Sequence, residues 1–367
     1  MQKINGKYTD AVIYSNTAED YAVAQIKMIC DNEASYGSQI RVMPDVHPGK
    51  IGPIGLSMTI KDKVMPGIVG VDIGCGVSYM RIKKTSIEFQ KLDKVIREQI
   101  PTGSSIRKEP HHISEGFDFS RLICAKNINT EKAKLSLGTL GGGNHFIELD
   151  KDSDGNIYVV IHSGSRHLGT EVAEYYMKKG QEELKSKGLD IPYELTYLEG
   201  ELLENYLHDI RVVQDYAQLN CWIMMKVLEK SMKWKMEEAF SCLHNYVDHN
   251  GILRKGATAA YEGNSVIIPI NMRDGIILGV GKGNPEWNFS APHGAGRILS
   301  RSEVKNHHTV SEFKKAMDGI YSSTVGSGTL DEAPFAYRCI DEIQEAIGDT
   351  VEIQKILKPI YNYKAKG

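Results

Sequence analysis

Asn156-Ile157-Tyr158-Val159-Val160-Ile161-His162-Ser163-Gly164-Ser165-Arg166-His167 is an apolar, β-branched run that ends on a histidine and then breaks at glycine. The run predicts a strand over Asn156–Ile161 that delivers His162 at its rigid end. Working outward, other histidines stand in similarly glycine-dense surroundings: Gly141-Gly-Gly-Asn144-His145-Phe-Ile-Glu148, Leu-His244-Asn245-Tyr and Pro-His293-Gly-Ala-Gly-Arg297. Upstream, Gly70-Val-Asp72-Ile-Gly-Cys75-Gly sets a carboxylate and a thiol around a tight turn. These motifs come from both halves of the chain and must converge within one fold. The expectation is therefore a single α+β domain over residues 1–367, with central β-sheets carrying the site and helices packed outside.

The remaining punctuation fits that class. Residues 38–82 read as short strands broken by glycine and proline, and Ser86–Ile100 as a helix stopped by Pro101. Gly103–Ile113 reads as an exposed loop. Glu171–Lys187 and Tyr193–Lys235 carry helical spacing, with Leu202, Leu203, Tyr206, Ile210, Val213, Ala217 and Leu219 as a buried face, and His244 is expected to follow a helix. Ser265–Ile270 and Gly275–Val280 predict two strands around a turn at Asn271–Asp274. Further helices are expected over Ser311–Met317 and Glu332–Ile347. No repeat or low-complexity tract divides the chain.

Composition narrows the function classes. With 44 basic and 47 acidic residues the formal charge is −3, so a polyanionic partner needs a local basic patch. Six cysteines without paired spacing suit a reducing compartment, and no apolar run is long enough to span a bilayer. A cytoplasmic, membrane-free protein is the expectation, with a monomer as the default.

The motifs carry specific chemistry. A thiolate such as that of Cys75 can bridge two cations, while Asp72 adds a hard oxygen and His145, His162 and His244 add imidazole nitrogens. The triple glycine before Asn144 frees backbone N–H groups for an anion, although no Walker lysine follows. Arg166 suits a phosphate through its planar fork. His293, among small neighbours, is open to an electrophile. Neutral imidazole is a competent nucleophile near neutral pH and can hold a covalent phosphoramidate. Asp45, in Met43-Pro-Asp-Val-His47-Pro-Gly, is a candidate to orient that ring.

In these motifs, taken in order from Met43-Pro-Asp to Lys364, the chain resembles the RtcB family of RNA ligases. The resemblance implies joining of an RNA 3′-phosphate or 2′,3′-cyclic phosphate to a 5′-hydroxyl, in RNA repair or tRNA splicing. It also implies two manganese ions, one held by Asp72, Cys75 and His145 and the other by Cys75, His162 and His244. GTP would donate GMP to His293. The guanylate would be surrounded by Asn144, His145, Phe146, Ile147, Glu148, His244, Asn245, Pro269, Ile270, Asn271, Met272, Gly294, Ala295, Gly296 and Lys364. Arg166, Arg254, Lys255 and Arg297 are candidates for phosphate or RNA contacts. An activating protein partner is left open. One departure stands out: Pro269-Ile-Asn-Met-Arg273-Asp274 replaces the family's Pro-Gly-Ser-Met-Gly-Thr. Two rival readings share the motifs, a dinuclear metal-dependent phosphoesterase and a non-catalytic module that binds RNA ends.

Overall fold

The computed structural model describes residues 1–365. Seven strands build the sheet that positions the site. Their order is Met236–Leu243, Gly76–Ile82, Ile157–Ser163, Phe146–Lys151, Val351–Lys364, Gly275–Gly281 and Ser265–Asn271. Every neighbouring pair is antiparallel. Side chains alternate between faces along each strand. Ile157, Val159 and Ile161 enter the main core, whereas Tyr158 and Val160 join a smaller cluster on the other face. Both faces are buried, which is why this strand reads as a continuous apolar run.

The register brings the chemistry to one end of this sheet. His162 lies opposite both Val77 and Phe146, Leu243 opposite Gly76, and Lys364 opposite Phe146. Because the strands run antiparallel, that edge collects the starts of two strands, with Cys75 and His145 just before them. It also collects the ends of three others, at His162, His244 and Lys364.

A second, six-stranded sheet runs Gln2–Asn5, Asp10–Ile13, Ile40–His47, Ile54–Thr59, Ile252–Lys255 and Asn245–Val247. Only the Asp10–Ile13 and Ile40–His47 pair is parallel, and the helix Asp20–Cys30 makes the crossover between them. The chain leaves the first sheet at Leu243 and enters the second at Asn245, so His244 sits at the seam. His244 thus follows a strand, not the helix expected there.

The 33-residue helix Gly200–Met232 covers the main core. It buries Leu203, Tyr206, Ile210, Val213 and Ala217 of the expected face, whereas Leu202 and Leu219 are only half-buried at its margin. It starts later than Tyr193 because residues 193–195 form a separate single turn and Glu199 is extended. It stops at Lys233, in a left-handed conformation (φ 57°), so Met236 onward can pair as a strand. The preceding helix begins at Arg166 and ends at Ser186. The expected helix over Glu332–Ile347 is shorter, Ile340–Ala346, because single turns around Pro334 occupy the first half. The Ser265–Asn271 and Gly275–Gly281 hairpin forms as expected. Among the described residues, no helix is long and apolar enough to cross a membrane.

Arg254 is the largest fully buried side chain. Its guanidinium meets Asp248 at 2.6 Å and donates to Ser290 Oγ at 2.9 Å and to the Phe289 carbonyl at 3.2 Å. The expectation that it contacts RNA is therefore corrected: it is a structural ion pair holding the second sheet to the Ser290 strand. Removing one partner of such a pair strands a buried charge. Asp248→Ala should lower the unfolding free energy by about 3–5 kcal/mol. Urea denaturation checks this, and a loss below about 1 kcal/mol, the range of an exposed pair, would contradict the assignment.

Candidate active site

Five potential ligands crowd the seam between the two sheets. Cys75 Sγ lies 3.3 Å from His162 Nε2 and 3.6 Å from His145 Nε2. His162 Nε2 is 3.3 Å from His244 Nε2, and His145 Nε2 is 3.3 Å from an Asp72 carboxylate oxygen. Two overlapping triads result, Asp72–Cys75–His145 and Cys75–His162–His244, each with its ligand atoms within 4.8 Å of one another. Cys75 belongs to both.

Local backbone explains the convergence. Gly74 has φ 74° and lies against the long helix, where a Cβ would come within 2.9 Å of the Ala217 side chain. At Gly164 a Cβ would lie 2.2 Å from the Asp72 carboxylate, so glycine there makes room for that ligand. The tautomers are set from behind. His145 Nδ1 faces the Leu140 carbonyl at 2.9 Å and His162 Nδ1 the Asn144 carbonyl at 3.3 Å. With Nδ1–H donating, both rings turn an Nε2 lone pair toward Cys75, the arrangement metal-binding histidines use.

Electrostatics sharpen the point. Burial, reinforced by Asp72, pushes the Cys75 thiol well above its ordinary value. Burial and neighbouring imidazoles push His162 and His244 well below theirs, so both rings are neutral. Neutral nitrogens facing one another at 3.3 Å, a buried thiol and a carboxylate form a donor set without a positive centre. A divalent cation fits it and would reverse the preference of the thiol.

His293 stands next to this cluster, its ring 4.8 Å from that of His244. It reaches there from the end of the short strand Ser290–Pro292. Its Nδ1 is 2.7 Å from Asp45 Oδ2, and its backbone N–H donates to the same oxygen at 3.2 Å. Asp45 is wholly buried on the Ile40–His47 strand. This contact fixes Nδ1 as the protonated nitrogen and leaves the Nε2 lone pair free.

A cavity of about 470 Å³ opens over His293. Asn144, Phe146, Glu148, Pro269, Ile270, Asn271, Met272, Gly294, Ala295, Gly296 and Lys364 line it with His293. Four residues expected around the same ligand do not. His145 and His244 turn their rings to the cysteine cluster, and Ile147 points from the other face of its strand into the main core. Asn245 is buried, donating to the Asp72 carbonyl and accepting from the Gly256 N–H. The charged pair Arg273–Asp274 does not line the cavity either. Asn271 Oδ1 accepts from the N–H groups of both, and the two side chains pair with each other at 2.9 Å outside it.

Sequence reading passed over several wall residues. His47 stands two residues after Asp45, and its Nδ1 meets the Asp45 carbonyl at 3.0 Å. Glu332 accepts from Lys364 at 2.8 Å, Arg301 at 2.7 Å and Tyr337 at 2.6 Å. Burial would raise the Glu332 carboxyl, but Lys364 and Arg301 hold it down at about 2. Nothing in the spacing of residues 332 and 364 announces this ion pair. Lys364 also stands 5.6 Å from the Phe146 ring centre.

The basic candidates are already engaged. Lys255 Nζ donates to the Val69 carbonyl at 3.1 Å, facing Asp72 rather than solvent. Arg297 donates to the Asp331 carbonyl at 2.7 Å and meets Glu332. Arg166, with φ 54°, donates to the Gly103 carbonyl at 2.7 Å and to Thr139 Oγ1 at 3.3 Å.

Glu148 and Asp150 project from one strand face and are both buried. Burial raises the Glu148 carboxyl to about 7, and burial together with Glu148 raises Asp150 well above the ordinary range. The folded state therefore binds the Glu148 proton more tightly than the unfolded chain does. Its contribution to stability is intact below the unfolded value of about 4.3 and is lost as pH rises through about 7. Glu148→Gln stays neutral and should flatten that decline. Denaturation curves at about pH 5 and about pH 8 test it, and parallel declines in both proteins would refute the assignment.

Comparison with known proteins agrees with the geometry. The family model described as tRNA-splicing ligase RtcB matches residues 25–124 and 121–365. The RNA-splicing ligase RtcB1 of Escherichia coli is 31% identical over 363 residues, covering 88% of each chain. The RNA-splicing ligase RtcB of Escherichia coli K12 is 31% identical over 364 residues with the same coverage. The tRNA-splicing ligase RtcB of Nanoarchaeum equitans is 30% identical over 396 residues, covering 82% of each. A match over nearly the whole length, in a chain that gathers its dispersed cysteine, histidines and aspartates at one seam, means that this protein belongs to the RtcB family.

Proposed function

We propose that this chain is a GTP-dependent RNA ligase that joins RNA 3′-phosphate or 2′,3′-cyclic phosphate ends to 5′-hydroxyl ends through a His293–GMP intermediate. The observation that carries the reading is the buried Asp45–His293 pair at 2.7 Å, set between the cysteine cluster and a cavity of nucleotide size. A hydrolase using the same ligand atoms has no need of an oriented imidazole at that position.

In the proposed first step, His293 Nε2 attacks the α-phosphorus of GTP. The N–P bond forms as the bond to pyrophosphate breaks, and Asp45 stabilises the positive charge that develops on the ring. Phe146, Glu148, Asn362 and Lys364 would hold the base and sugar while the Gly294–Gly296 loop leaves space for the phosphate. An oxygen of the RNA 3′-phosphate then attacks the GMP phosphorus and releases His293. Finally the RNA 5′-hydroxyl attacks the activated 3′-phosphate, losing its proton as the new phosphodiester forms and GMP departs. Two manganese ions, one on Asp72, Cys75 and His145 and one on Cys75, His162 and His244, would when bound supply charge neutralisation for the phosphates and an activated water to open a cyclic end.

Incubation with manganese and α-labelled GTP should leave denaturation-resistant label on the wild type and none on His293→Ala. Asp45→Asn, which permits the wrong ring tautomer, should slow labelling by about 10²–10⁴-fold with metal content unchanged. Manganese-loaded wild type that takes up no label, yet opens a 2′,3′-cyclic phosphate, would replace this reading with the phosphoesterase one.

A further inference from the structure

The fold engages the basic residues that the sequence offers for RNA and leaves Arg297 alone among them on the wall of the cavity over His293. Arg166, Arg254, Lys255 and Arg297 are all bonded to protein partners. A chain of net charge −3 must still meet a long polyanion with a local patch of positive charge. We propose that the patch is the cleft between residues 98–113 and the end of the long helix, residues 226–234, and that it binds the single-stranded part of the RNA substrate. This inference rests on the reading that the protein acts on RNA.

Three observations converge on the cleft. The first is charge. Five basic residues line it against Glu98, Glu109 and Glu229, and three of the five, Lys108, Lys230 and Lys233, have no acidic partner within 4.0 Å among the described residues. Lys230 and Lys233 also stand at a helix C-terminus, whose carbonyls favour cations there. The second is a stacking surface. His111 and His112 lie on the wall with ring centres 4.3 Å apart, and flat rings beside lysines are how proteins hold single strands without reading sequence. The third is size and continuity. The cleft encloses about 1440 Å³, against about 470 Å³ over His293, so it suits several nucleotides rather than one.

The proposed path between the two crosses the residue 101–107 loop. The loop of residues 101–107 borders the cleft on one side and a smaller depression on the other. That depression is lined by Thr102, Gly142, Gly143 and Lys364, and Lys364 also lines the cavity over His293. The loop is tied down where the path crosses it: Gly103 N–H donates to the Gly141 carbonyl at 2.8 Å. A strand whose reacting end lies beside His293 can follow glycine backbone past Gly142–Gly143 and reach the three lysines.

The test reverses two charges, Lys230→Glu with Lys233→Glu, and compares Lys314→Glu with Lys315→Glu on a separate exposed helix. Fluorescence anisotropy would follow binding of a short single-stranded RNA with a 3′-phosphate. The cleft variant should bind at least about tenfold more weakly, and its log–log salt slope should fall by about 1.4, roughly 0.7 for each lost phosphate contact. Labelling from GTP, measured without RNA, should match the wild type, and the control variant should bind RNA normally. Unchanged affinity and slope in the cleft variant, an equal loss in the control, or no RNA binding by the wild type would each overturn the proposal. A wild type that binds RNA through the cleft but takes up no label would count against His293 chemistry and leave the cleft standing.

Discussion

The crowding of lone pairs around Cys75 is the constraint on which the rest of this structure depends. A thiol, three imidazole nitrogens and a carboxylate oxygen approach one another at 3.3–3.6 Å in a buried seam. Without a positive centre, such an arrangement is costly, since each group is desolvated and the donors point at one another rather than at protein hydrogens. The fold nevertheless enforces it from several directions. Antiparallel register sets Cys75, His145, His162 and His244 at one sheet edge, backbone carbonyls fix two of the rings, and glycine at 164 leaves space for Asp72. Such agreement between independent elements is the mark of a preorganised site.

The second sheet contributes Asp45, the partner of His293, to that seam. Asp45 is rooted on a strand of one sheet, whereas His293 comes from a short strand paired outside it, and their contact closes the cavity beside the cluster. Buried Arg254 ties the same regions together through Ser290 and Phe289, three and four residues before His293. The ion pair that anchors the second sheet therefore also steadies the segment carrying His293.

Much of the site was legible because each ligand is marked by its neighbours. A β-branched run ending in His162, glycines around Cys75 and His145, and small residues around His293 all signal backbone brought close to a ligand. The strand and helix periods around them were equally clear, so the α+β class and the hairpin at 265–281 followed directly. What stayed hidden was set by distant partners. Arg254 looks like any strand arginine until Asp248 and Ser290 close around it. Ile147, two residues from His145, faces the core only because the strand begins at Phe146. Glu332 and Lys364 meet across the fold through a 14-residue terminal strand whose lysines, glutamates and proline obscure its period. Likewise His244 was assigned to the end of a helix, because the left-handed turn at Lys233 falls on a residue type that seldom marks one.

The two triads that share Cys75 would hold two metal ions beside His293. Titration of the wild type and Cys75→Ser with manganese, followed by electron paramagnetic resonance, tests it most directly. Two ions per chain with a spin-coupled spectrum are expected in the wild type, and loss of the coupled signal in Cys75→Ser. A single uncoupled ion in the wild type, or a coupled pair that survives the substitution, would contradict it.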